Sequence, residues 1–214
     1  MSKSRFNPYQ DNGGTVAAIA LGSRVVVGGD TRISRGYSIV SREYCKMTQL
    51  TSKAVIATSG MVADAQNLHK VILARIALYK HQNGCEPGIR SLARLLCTTL
   101  YSRRFFAFYT FNLLVGLDEN NQGVVFGYDA IGSFDELNYG VQGSGGHLLM
   151  PVLDNQLKGA NRSDDYEFTG NPVEVIKDIF NSCAERDIHT GDSLLIWDIT
   201  PDGIQEQVVE LRKD

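Results

Sequence analysis

Val16-Ala17-Ala18-Ile19-Ala20-Leu21-Gly22-Ser23-Arg24-Val25-Val26-Val27-Gly28 is the stretch on which the fold turns. Two short runs of β-branched and small apolar residues flank Gly22-Ser23, a two-residue turn of the kind that closes antiparallel hairpins. A parallel pair would need a crossover of a dozen residues or more, and none is present between these runs. The domain therefore opens on an antiparallel hairpin.

Downstream, strand character recurs at Tyr37 to Val40 and at Ala54 to Ala57, the second running into Thr58-Ser59-Gly60. The period then changes. From Met61 to about Lys80, Ala65, Leu68, Val71, Ile72, Ile76 and Tyr79 recur at spacings of three and four, which predicts one face of a long helix stopped by Gly84 and Pro87. A second helix is expected over Ile89 to Tyr101, with Ile89, Leu92, Leu96 and Leu100 aligned. Strands return at Asn112 to Leu117 and Gly123 to Tyr128, joined by a turn-rich connection. Helical spacing reappears over Gly146 to Leu157 and Val173 to Arg186. The chain closes with Ser193 to Trp197, the turn Pro201-Asp202-Gly203, and Ile204 to Leu211. Strands, two helices, strands, two helices, strands: two antiparallel sheets packed face to face with helix pairs outside account for every segment. The expectation is an α/β (α+β) four-layer α/β/β/α sandwich, one domain over 13–214 behind a tail over 1–12.

Composition narrows the functions. The chain has 214 residues, 43% hydrophobic and 21% charged, as in an ordinary globular protein. Lys plus Arg number 21 against 24 Asp plus Glu, a net charge of -3, so no overall field exists to hold nucleic acid. Cys45, Cys85, Cys97 and Cys183 lack ligand spacing, which suits reduced thiols, and His69, His81, His147 and His189 form no HExxH or other ligand pair. No metal and no cofactor are expected. The N-terminus has no secretory apolar core and no run of about 18 apolar residues occurs, so neither export nor membrane insertion is expected. Gly140 to Gly146 suggests close backbone packing, because no strand is read before it to make a phosphate-binding loop. Arg103-Arg104-Phe105-Phe106 reads as a helix end followed by a core strand and not as a base-stacking patch.

Gly13-Gly14-Thr15, Gly29-Asp30-Thr31-Arg32, Lys46, Thr58-Ser59-Gly60, Gly143-Ser144-Gly145-Gly146 and Arg186-Asp187-Ile188-His189-Thr190-Gly191 occur in that order. Together they resemble the proteasome β-type subunits, members of the N-terminal-nucleophile hydrolases, over nearly the whole chain. The resemblance implies the same four-layer sandwich. It also implies a site in which a terminal threonine attacks with its own α-amine as base. Lys46 would lower the hydroxyl pKa, Asp30 would hold that lysine, Gly60 would supply the oxyanion N–H, and Ser144, Asp187 and Thr190 would surround the amine.

The nucleophile does not fit. In active relatives it lies 16 residues before the aspartate and 32 before the lysine, and both counts land on Gly14. Thr15 is one residue late, and alternation along a strand would aim it away from Lys46. The resemblance thus implies a vestigial site with no catalytic residue, in which Asp30, Arg32, Lys46 and Asp187 serve as an ion-pair network kept for packing. The alternative is an active threonine endopeptidase in which cleavage after Gly14 frees Thr15.

Further runs are similar to a non-catalytic position of the β ring, the sixth: Phe6-Asn7-Pro8-Tyr9, Leu100 to Phe106, Gly116-Leu117-Asp118, Leu153 to Gln156, Ala184 to Asp187 and Leu211-Arg212-Lys213-Asp214. This implies assembly with other α and β subunits in stacked rings and residence in cytoplasm and nucleus. It also implies a share in ATP- and ubiquitin-dependent degradation of unfolded polypeptides carried out by neighbouring chains. The loop from Tyr128 would enter the substrate channel of the adjoining chymotrypsin-like subunit, with Asp129, Ser133 and Asp135 facing its pocket. Ala130 stands where relatives commonly carry proline. The upstream Phe6 to Tyr9, if retained, would occupy the space a free α-amine needs.

Overall fold

The structure, a computed structural model, describes residues 7–158, 161 and 170–213. Its elements run β1 (Thr15–Leu21), β2 (Arg24–Asp30), β3 (Ile33–Arg35), β4 (Ser38–Ser41), β5 (Met47–Thr51), β6 (Ala54–Gly60), α1 (Val62–Asn83) and α2 (Ile89–Ser102). They continue with β7 (Thr110–Leu117), β8 (Gly123–Tyr128), β9 (Phe134–Leu137), β10 (Tyr139–Gly143), α3 (Gly146–Gln156), α4 (Pro172–Ala184), β11 (Ser193–Thr200) and β12 (Gly203–Glu210). One sheet has the order β10-β1-β2-β11-β12, the other β5-β6-β7-β8-β9, and every pairing is antiparallel. β3 and β4 form a separate hairpin.

Side-chain alternation in the opening hairpin builds the layers. Val16 and Ala18 of β1, with Val25 and Val27 of β2, face Val55, Ala57, Leu113 and Val115 of the other sheet. Ala17, Ile19 and Val26 face the opposite way, against Leu149 and Leu153 of α3 and Ile176, Ile179 and Phe180 of α4. On the far side, α1 and α2 cover the second sheet through Leu68, Ile72, Leu92, Leu96 and Leu100. The result is the expected four-layer sandwich. Along α1 the buried face is Ala65, Leu68, His69, Ile72 and Ile76, whereas Tyr79 lies on the exposed side. Gly84, at φ 71°, ends α1 by donating its N–H to the Lys80 carbonyl.

Two expectations need correction. First, β10 is a strand and leads through Gly143-Ser144-Gly145 directly into α3, so strand, glycine loop and helix are present after all. The loop is nonetheless filled by the protein itself: Ser144 N–H donates to the Gly14 carbonyl and Gly145 N–H to Thr15 Oγ1. A Cβ on Gly145 would lie 2.7 Å from Thr15 Oγ1. Second, Arg103 to Phe106 does not open a core strand. Arg104–Phe106 is an exposed 3₁₀ turn, and β7 begins only at Thr110. Residues 7–12 of the tail pack against the domain. Tyr9 donates its hydroxyl to the Ala107 carbonyl at 2.6 Å and stacks on Phe106, and Asn12 makes backbone hydrogen bonds to both Gly60 and Ser34. Phe6 and Asp214, part of the runs quoted above, lie outside the described residues.

Among the described residues no helix is long and apolar enough to cross a membrane, and no group of three or more His, Cys, Asp or Glu side chains is placed to hold a metal.

Candidate functional site

The site forms where β1 begins, β2 ends and β5 begins. The opening hairpin sets Asp30 at the end of β2 beside Thr15 at the start of β1, and Lys46 immediately precedes β5. Lys46 Nζ lies 3.1 Å from Asp30 Oδ1 and donates to the carbonyls of Asp30 at 2.7 Å and Arg32 at 2.6 Å, using all three of its hydrogens. Besides that lysine, the Asp30 carboxylate accepts the backbone N–H groups of Thr15, Arg32 and Gly191. Both side chains are buried. Burial pushes the Asp30 carboxyl up and the Lys46 ammonium down, and each partner opposes the shift of the other. With every lone pair and hydrogen engaged, the pair is a closed unit.

Gly14 sits against this pair. Its φ of 82° is left-handed backbone that a β-branched residue rarely adopts. A Cβ built there would lie 2.6 Å from Lys46 Nζ and 3.2 Å from Asp30 Oδ1, with the lysine stem nearer still. The space a side chain would need beside the lysine is thus occupied by the lysine. Gly13, Gly14, Gly60, Gly143 and Ser144, with Asp11, Phe111 and Gln142, line a cleft of about 300 Å³. Gly60, at φ 104°, closes one wall, and a Cβ on it would meet the Tyr109 carbonyl at 2.6 Å.

Thr15 points to the other face of β1. It is fully buried, its Oγ1 lies 2.8 Å from Thr190 Oγ1, and it accepts the Gly145 N–H at 2.9 Å. Thr190 in turn donates to Asp187 Oδ2 at 2.6 Å, which also takes the Ser144 hydroxyl at 2.7 Å. The hydroxyl proton of Thr15 therefore runs to Thr190 and on towards Asp187, away from Lys46. Its backbone nitrogen is an amide committed to Asp30 and not an amine.

Of the residues singled out in the sequence, Gly14, Asp30, Lys46, Gly60, Ser144, Asp187 and Thr190 gather around the start of β1. Arg32 joins through its backbone. Its guanidinium turns away to Asp192 Oδ2 at 2.9 Å and the Ile188 carbonyl at 3.0 Å, where Asp192 also receives Arg42. Both arginines hold Asp192 below the usual carboxylate range against the opposing effect of burial. Asp129, Ser133 and Asp135 lie apart and exposed, the first two on the β8–β9 connection and Asp135 within β9. There the Asp129 carboxylate accepts the N–H groups of Ile131 at 3.0 Å and Ser133 at 2.7 Å, which fixes the turn although no proline is present.

Two participants escaped sequence reasoning. Asn12 accepts the Val62 N–H at 3.0 Å, serving the unpaired first turn of α1 from a distant segment, and its own N–H donates to the Gly60 carbonyl. His69 bridges Thr48 Oγ1 at Nδ1 and Thr58 Oγ1 at Nε2, each at 2.8 Å, and burial lowers its pKa to about 4. No local spacing marks either role, because each depends on contacts made only in the folded chain.

The profile described as "Proteasome subunit" matches residues 10–199. Proteasome subunit beta type-1 of Arabidopsis thaliana is 44% identical, covering 99% of this chain and 98% of its own length. The namesake of Danio rerio is 42% identical over 98% of this chain and 90% of its own. The probable proteasome subunit beta type-6 of Schizosaccharomyces pombe is 34% identical over the full length of both. A buried Lys–Asp pair at the mouth of a four-layer sandwich, a profile covering most of the chain and relatives aligned end to end lead to one statement: the chain belongs to the proteasome subunit family.

Proposed function

We propose that this chain is the non-catalytic subunit of the sixth β position in the proteasome core particle. There it acts as a wall of the ring while neighbouring chains carry out proteolysis. The observation that supports this most directly is the occupancy at Gly14: no side chain stands there, and Lys46 fills the volume where a nucleophile would be. Gly60, Ser144, Asp187 and Thr190 then serve to pack the start of β1 and not to transfer protons. The names of the relatives, beta type-1 in Arabidopsis thaliana and beta type-6 in Schizosaccharomyces pombe, support the position. On this reading the domain spans 13–214, residues 7–12 are retained as a strap across the cleft, and the partners are other α and β subunits, in cytoplasm and nucleus. Unfolded polypeptides are met through the complex.

The rival, Thr15 as an N-terminal nucleophile, would require Thr15 to leave its contacts with Thr190 and Gly145 and reverse its face of β1. Intact mass and N-terminal sequencing of the chain from assembled particles decide between the two. The proposed function predicts a terminus upstream of Gly13 and no labelling by a peptide epoxyketone, which needs both the hydroxyl and a free amine. A chain beginning at Thr15 that carries the label would overturn it.

A further inference from the structure

The six residues Tyr101 to Phe106, which join the end of α2 to the approach to β7, are all exposed, and three are aromatic. Phe105 is 89% exposed and Phe106 62%. Their arrangement is ordered. The Arg104 guanidinium lies 4.4 Å from the ring centroids of both Tyr101 and Phe105, Arg103 lies 5.5 Å from that of Phe108, and Phe106 stacks on Tyr9 at 5.4 Å. Among the described residues no carboxylate pairs with either arginine. In a chain of net charge -3, two unneutralised guanidiniums are set against aromatic faces, and although Arg104 Nη1 donates to the Tyr101 carbonyl at 3.3 Å, further N–H donors remain beside apolar surface. Exposed Arg and aromatic side chains grouped in this way have the composition of interface anchors.

We propose that this patch docks a segment of an adjoining proteasome subunit that presents a carboxylate beside an apolar side chain. The inference rests on the reading of the chain as a ring member. Nucleic acid fits less well. Two arginines make too short a basic track, and at the base of the patch Tyr109 is flanked by Asp11, with which it interacts, and by Asp64, which accepts its N–H.

The experiment uses assembled particles purified through a tag on another subunit. In the R104K variant, zero-length carbodiimide coupling is expected to join position 104 to an Asp or Glu of another subunit. Hydroxyl-radical modification of Phe105 in the wild-type particle should fall severalfold below that of the urea-unfolded chain. Arg104→Glu should lower incorporation about tenfold in competition with the wild-type chain, since it sets like charges together. A chain present in the particle that gives no cross-link and shows Phe105 as reactive as in urea overturns the patch and leaves the proposed function standing. Protection of Phe105 that disappears on nuclease treatment overturns it in favour of nucleic acid. Absence of the chain from the particle overturns the proposed function itself.

Discussion

Two buried polar clusters lie within one strand hairpin of each other, β5 with β6, and they solve the problem of burial in opposite ways. The Asp30–Lys46 pair is ionic: its charges are taken from water and held by backbone donors and carbonyls. The His69 cluster is neutral. Thr58 donates to Asn112 Oδ1 at 2.8 Å, so its oxygen accepts from His69 Nε2–H, and His69 Nδ1 accepts from Thr48. Each cluster leaves no member unsatisfied, yet only the first has the look of catalytic machinery. The comparison teaches that burial alone gives a lysine–aspartate pair the same structural claim as a histidine between two threonines, because removing one partner strands the others in the interior.

The ionic cluster should give the larger effect when broken. Lys46→Ala leaves the Asp30 carboxylate buried against backbone donors alone and should cost about 3 to 5 kcal/mol of stability. The double change Asp30→Asn with Lys46→Met removes both charges together and should cost clearly less than Lys46→Ala. Urea unfolding of the three chains measures this. Equal losses for single and double variants would show that packing and not charge is what the pair contributes.

The neutral cluster should respond to pH through His69. His69 has its folded pKa lowered to about 4, against about 6.5 in an unfolded chain. The unfolded state therefore binds the proton first. The stabilisation is complete above pH 6.5 and is lost progressively as pH falls towards 4, by about 3 kcal/mol in all. Unfolding curves of wild type and His69→Gln across that window check the sign. The glutamine variant should have a flatter profile, and parallel profiles would assign the pH dependence to other groups.

How much of this was legible in the sequence follows from where the information resides. The opening hairpin could be read because its turn and its apolar runs are local. The placing of Gly14 beside Lys46 and of Thr15 on the other face of β1 could be read too, from the offsets that the resemblance supplies and the two-residue alternation of a strand. β5, β9 and β10 could not. Met47–Thr51 and Phe134–Leu137 set two polar or acidic residues in a row between their apolar ones and so lack strand alternation, and Tyr139–Gly143 holds two glycines, so the sheet and not residue preference makes them strands. Phe105 and Phe106 depart from the expected core strand because apolar character alone does not decide burial. The His69 relay joins α1 to β5 and β6, and its members are recognisable only once those elements are packed.

The smallest effect concerns the Asp129 loop, and it separates geometry from charge. Asp129 turns its carboxylate back on its own connection, accepting from Ile131 and Ser133, so its first role is to hold the turn. Asp129→Ala removes the oxygen that accepts both N–H groups on an exposed loop and should cost at most about 1 kcal/mol of stability. Asp129→Asn keeps one oxygen able to accept the same N–H groups while removing the charge. If the loop shapes a neighbouring pocket by its conformation, the alanine variant should change the cleavage profile of assembled particles and the asparagine variant should leave it close to wild type. Equal changes in both would mean that the negative charge itself faces the substrate. Identical profiles for all three chains would remove Asp129 from the pocket altogether. Since the carboxylate is already committed to two backbone donors, the expected result is a change with alanine alone.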